Sequence, residues 1–164
     1  MSAMPDSRIA LLLDVLDRAF DQPSWHGPNL RNALRGVSLE QAAWRPQPER
    51  HNIWELAVHC AYWKYRIHRL VSDREPRSFE LAGSDFFPRP VDATAKAWKE
   101  DLRLLEAWHG RLREDVLALD PVRLDRRPTR GEHTLAGLAA GAAAHDLYHA
   151  GQIRLLRRMF DGRN

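Results

Sequence analysis

The segment Ala144-His145-Asp146-Leu147-Tyr148-His149-Ala150-Gly151-Gln152 places two imidazoles four residues apart. On a helix, side chains at that spacing stack on one face, so His145 and His149 can hold one ion between them. At about 100° per residue, His145, Asp146 and His149 share a stripe with Leu138, Ala142, Ile153, Leu156 and Phe160 and therefore point inward. Polar groups there cost desolvation unless they pair or bind something, and neutral imidazole is a common protein ligand for zinc and its neighbours. Two hydrogen-bonded core histidines would satisfy the same spacing without an ion. Asp146 is the candidate to orient a histidine ring or to accept a proton, with an ordinary buried hydrogen bond as the alternative.

A catalytic metal site commonly uses about three protein ligands and keeps a position open. His59, beside Leu56 and Trp63 at the edge of another apolar stripe, is the best third ligand. His109 competes, because Glu106-Ala107-Trp108-His109 resembles the Glu-x-x-His element of di-iron bundles. Those sites need two such elements and further inward carboxylates, whereas Asp14, Asp17 and Asp21 lie mostly off their helix's apolar stripe. His109 therefore reads as a core histidine or a partner behind the ligands. Cys60 is turned about 100° from His59 and reads as a small buried hydrophobe rather than a nucleophile. Because protons compete for imidazole, metal binding by such a set should fade below about pH 6.

These residues need helices to position them, and the sequence supplies four long ones. Ile9, Leu12, Leu13, Leu16, Ala19 and Phe20 recur at helical period from Ser7 to Phe20. The long connection Ser24–Glu49, rich in turn residues, holds one short helix near Asn29–Arg35. Asn52 caps a second long helix, with Glu55 completing an approximate capping box, and the stripe Ile53, Leu56, Ala57, Cys60, Ile67, Val71 carries it to about Asp73. Pro76, Gly83, Pro88 and Pro90 mark a loop. A third helix runs from near Asp92 to before Pro121, and Thr134 caps a fourth that reaches about Phe160. No segment alternates with period two, so the expectation is an all-α four-helix bundle forming a single domain over residues 1–164.

Composition bounds the function. In 164 residues, 44% hydrophobic and 29% charged, Lys+Arg 25 against Asp+Glu 22 leaves +3, scattered rather than gathered into a patch, which argues against nucleic acid. Arg154, Arg157, Arg158 and Arg163 read as solvated charges that complement the end of the fourth helix. One cysteine makes neither an internal disulfide nor a cysteine-based zinc site, and Leu135–Ala144 falls short of a membrane span; a cytoplasmic protein is expected. The sequence holds no His-Glu-x-x-His, no Gly-x-Ser-x-Gly and no phosphate-binding glycine loop.

Four blocks stand in a specific order: His26-Gly27-Pro28-Asn29-Leu30, Trp44-Arg45-Pro46, Asn52-Ile53-Trp54-Glu55-Leu56 leading to His59 and Trp63, and His145 to Ile153. In that order and spacing the chain resembles the DinB/YfiT-like family of four-helix-bundle metal-dependent enzymes over almost its whole length. The resemblance implies a variant up-and-down bundle, frequently a homodimer. It implies a divalent ion, nickel or zinc, on His59, His145 and His149. It also implies thiol chemistry, since members include bacillithiol and mycothiol transferases, with a low-molecular-weight thiol or another small molecule as the partner. Trp63 is then a candidate for the pocket, and His26 for its cover, although Gly27-Pro28 explains a turn there nearly as well. The expected function is thiol transfer or hydrolysis at a three-histidine site; the alternative is a stress-associated metal- or ligand-binding module without turnover.

Overall fold

The Asp6 carboxylate accepts from the Arg8 amide at 2.9 Å and starts helix α1 (Ser7–Phe20), whose buried face is Ile9, Leu13, Leu16, Ala19 and Phe20. The computed structural model describes residues 6–72, 77–128 and 131–163, and all regular structure among them is helical. The expected helix end at Asp73 and the loop marker Pro76 lie outside the described residues.

The long connection after α1 contains two short helices where one was expected, α2 (Leu30–Leu34) and α3 (Leu39–Ala43). Asn29 caps α2 through its side chain, accepting from Asn32 N. The second has a reciprocal cap, with Ser38 Oγ accepting from Gln41 N and Gln41 Oε1 accepting from Ser38 N, both at 3.1 Å. Helix α4 (Ile53–Val71) begins where Asn52 Oδ1 accepts from Glu55 N at 2.8 Å. Glu55 does not close the expected capping box. Its carboxylate instead pairs with the Arg45 guanidinium and with His51. Burial raises the Glu55 pKa, but these bonds outweigh it and hold the group below the usual carboxylate range.

Helix α5 (Ala95–Ala118) starts later than Asp92, because the Thr94 hydroxyl takes the cap position and accepts from Ala97 N at 3.2 Å. After a short 3-10 turn, Thr134 caps α6 (Leu135–Asp161) as its sequence suggests. The four long helices close a ring of contacts: α4 packs on α5 and α6, and α1 packs on the same two. One apolar cluster joins α4, α5, α6 and the short helices around Ile53, Trp54 and Trp108; a second joins α1, α4, α5 and α6 around Leu16, Leu112 and Ala139. Their rigidity fixes the two helices, α4 and α6, that carry the three candidate ligands.

The bundle interior also holds an ion pair with almost no solvent contact. Lys64 of α4, 2% exposed, donates to Asp146 of α6, 0% exposed, at 2.5 Å, with the ammonium also 5.2 Å from the Phe20 ring centroid. A further buried pair, His68 with Asp115, links α4 to α5.

Candidate metal centre

His59 comes from the middle of α4, and His145 and His149 from successive turns of α6. Their Nε2 atoms converge: His145 Nε2 lies 3.1 Å from His59 Nε2 and 3.1 Å from His149 Nε2. Two of the outward nitrogens are engaged elsewhere. His59 Nδ1 donates to the Asp85 carbonyl oxygen at 3.0 Å, and His149 Nδ1 donates to Gln152 Oε1 at 2.6 Å. With the proton on Nδ1, the Nε2 of each of these rings carries a lone pair directed at the common point. Three nitrogen atoms clustered in this way, two of them on rings backed by an oxygen acceptor, fit a divalent cation with three imidazole ligands.

Electrostatics favour the same state. Burial pushes the His145 pKa to about 3, helped by His149 and His59, and burial pushes that of His149 to about 4 despite its bond to Gln152. Burial likewise lowers that of His59, against the opposing pull of Asp85. Neutral imidazole is the coordinating form, so proton competition begins at lower pH than for ordinary histidines. Binding is therefore expected to fade at lower pH than for ordinary histidines, with the His149 ring protonating only toward about pH 4. A metal titration at several pH values checks this; loss centred near pH 6.5, the value for free imidazole, would contradict it.

The segment between α4 and α5 holds the first ring in place. Phe86 is sandwiched between His51 and His59, with ring centroids at 3.6 and 4.0 Å and planes within 10° of parallel. Asp85 adopts a left-handed backbone, φ 64°, uncommon for a residue with a side chain. That conformation accompanies two contacts: its carbonyl reaches His59 Nδ1, and its Oδ1 accepts from Trp63 Nε1 at 2.9 Å.

The three rings border a cavity of about 920 Å³. Its walls come from α4 and α6 themselves and from the connections that flank α4, through Pro46, Gln47 and Arg50 on one side and Asp85 and Phe86 on the other. Trp63 lines it, 38% exposed.

Four other residues fall elsewhere. His26 is exposed on the loop before α2, its ring against that of Trp25, which is 94% exposed; it does not border the cavity, and Gly27 (φ 119°) makes the turn there. His109 stacks on Phe20 at 3.7 Å with burial pushing its pKa to about 2, and it touches none of the three rings. Its Nδ1 is buried without a hydrogen-bond partner. Asp146 does not line the cavity; the carboxylate expected to orient a histidine or take a proton is committed to Lys64. Burial raises its pKa even though Lys64 opposes the shift. Cys60 is fully buried, and burial raises its thiol pKa well above the ordinary value.

The family model for the DinB superfamily matches residues 24–153, which span the short helices, α4, α5 and both ligand turns of α6. The chain belongs to the DinB superfamily. No curated protein and no solved structure matches it. As a DinB-superfamily chain it combines an all-α fold with a histidine cluster at a cavity, and none of its described helices is long and apolar enough to cross a membrane.

Proposed function

We propose that the protein is a divalent-metal-dependent enzyme that transfers a low-molecular-weight thiol to an electrophile, with hydrolysis as the sister reaction of the same site. The observation that carries this reading is the convergence of three Nε2 atoms beside an open cavity rather than inside a closed core. His59, His145 and His149 would hold zinc or nickel, leaving room on the cavity side for a further ligand. Once bound, the ion supplies Lewis acidity, which favours the deprotonated form of a thiol or water at neutral pH.

The chain's own residues set the rest. Its only cysteine is sealed in the core and kept protonated, so a sulfur nucleophile has to enter from solution. Gln152 and the Asp85 carbonyl hold the rings and their tautomers. Asp146, which the sequence suggests as a proton acceptor, is committed to Lys64, and the Asp85 carboxylate that borders the cavity is held by Trp63 and the His59 ring. Trp63 and Tyr148 line the cavity beside the rings and would limit what reaches them. A homodimer in the cytoplasm is part of the same proposal.

The experiment is a panel of small thiols, bacillithiol among them, offered with a halo-aromatic or an epoxide to metal-loaded protein. The expected result is a conjugation rate that requires the metal and vanishes in His59→Ala. No metal-dependent rate with any thiol, with a metal whose coordination is filled by protein atoms, would favour a non-catalytic metal-binding module.

A further inference from the structure

The chemistry of the cavity walls narrows what the centre acts on. Helix α6 presents one continuous face to the cavity, in which the ligands His145 and His149 give way to Leu155, Leu156 and Met159 two turns on. Leu56 and Phe86 extend that apolar surface from the other side. Leu155 and Met159 stand four residues apart, 59% and 44% exposed, so two large apolar side chains lie open to water along the wall. Single exposed apolar residues need no explanation, but a pair lining a cavity with three ligand rings at one end does. The volume of about 920 Å³ also lies well above what a water molecule or a two-carbon thiol fills.

One charge on this wall lacks a counter-charge. Arg50 sits on a turn fixed by its own backbone, its carbonyl accepting from Arg45 Nη1 at 2.7 Å and its amide donating to the Gln47 carbonyl at 3.0 Å. Among the described residues no carboxylate lies within ion-pair distance of its guanidinium, whereas Arg45, Arg89 and Arg113 are all paired. The carboxylate that shares the cavity, Asp85, is taken by the Trp63 indole at 2.9 Å and the His59 ring at 3.3 Å. A planar, permanently charged fork at the edge of an apolar wall matches a carboxylate attached to an apolar body.

We propose that the cavity binds an anionic amphiphile: a medium-length aliphatic or an aromatic body lying along Leu155, Leu156 and Met159, with a carboxylate on Arg50. This deepens the proposed function and rests on it only for what happens at the histidines; the recognition itself is a property of the walls. In that arrangement the reacting group of the substrate is the end nearest His59, His145 and His149, and the carboxylate is a handle rather than the site of reaction.

The test uses octanoate, octanol and acetate as probes on full-length protein, by isothermal titration calorimetry, first without metal. Octanoate should bind about 10-fold or more tightly than either octanol or acetate, the scale of one charged hydrogen-bonded contact or several buried methylenes. Arg50→Ala, at an exposed position, should bring octanoate down to the level of octanol. Leu155→Asn with Met159→Asn, also exposed, should weaken octanoate and octanol together. Equal binding of octanoate and acetate, a carboxylate preference that survives Arg50→Ala, or no binding of octanoate would each overturn the proposal. Repeating the titration with zinc present separates it from the reading of the metal centre. If zinc binds equally to a variant lacking the three histidines, that reading fails, while the octanoate result in metal-free protein still decides this one.

Discussion

Replacing His149 with alanine should weaken divalent-metal binding far more than replacing the residue that orients it. His149 supplies one of the three converging Nε2 atoms, and the two remaining rings come from different helices, so their positions alone offer only a bidentate grip. Gln152 touches no metal position; it accepts from His149 Nδ1 and so fixes the ring and its tautomer. Losing such an orienting partner typically costs about 10–100-fold in metal affinity. Gln152→Ala should fall in that range, and His149→Ala should lie beyond it. Competition against a chromogenic chelator measures both. Equal affinities in wild type and His149→Ala would remove that residue from the site, and a Gln152→Ala effect as large as that of His149→Ala would mean that Gln152 is itself a ligand.

The second large effect concerns Asp146, which spacing along α6 places among the chemistry and the structure places in the foundation. Asp146→Ala leaves the Lys64 ammonium in the bundle interior without its counter-charge. Breaking a buried pair from one side costs about 3–5 kcal/mol, which for a chain of this size corresponds to a fall in melting temperature of roughly 6–20 °C. The double variant Lys64→Met with Asp146→Leu removes both charges and replaces them with apolar volume. It should recover most of that loss and keep the metal site, because neither side chain borders the cavity. Urea unfolding and metal titration on the two variants distinguish the roles. A stable Asp146→Ala protein, or a well-folded double variant that binds no metal, would return Asp146 to the metal centre.

The contrast between Asp146 and His145 shows where sequence reasoning ends. Adjacent helical positions differ by about 100°, so both lie on the broad buried face of α6, and periodicity marks both as inward. Which neighbour each meets is decided by the packing of α6 on α4, where Lys64 waits for one and His59 for the other. That information is tertiary. The histidine pair was legible because its four-residue spacing carries its own geometry, and His59 because it sits at the edge of a clear stripe. The long helices were legible for the same reason.

Other features left fainter traces. Ser38 and Gln41 stand at capping-box spacing, a signal sufficient to locate α3, although the run of turn residues around it obscures the helix. Gln152, one turn beyond His149, could have been found by asking which side chain reaches the far nitrogen of each ring. Asp85 could not, since its hold on His59 uses a backbone carbonyl, which every residue possesses. His26 failed as a pocket residue for a related reason: its loop carries no periodicity that says where the ring turns, and the glycine beside it serves the chain's own turn.

One metal site built by three imidazoles, from α4 and α6, underlies the proposed activity. Elemental analysis of untagged protein after exposure to zinc or nickel and removal of free metal tests it most directly, on wild type and on a variant with His59, His145 and His149 all replaced by alanine. Wild type should retain about one ion per chain and the folded variant none above background, with His109→Gln retaining the wild-type content. Equal metal in wild type and the triple variant would contradict it.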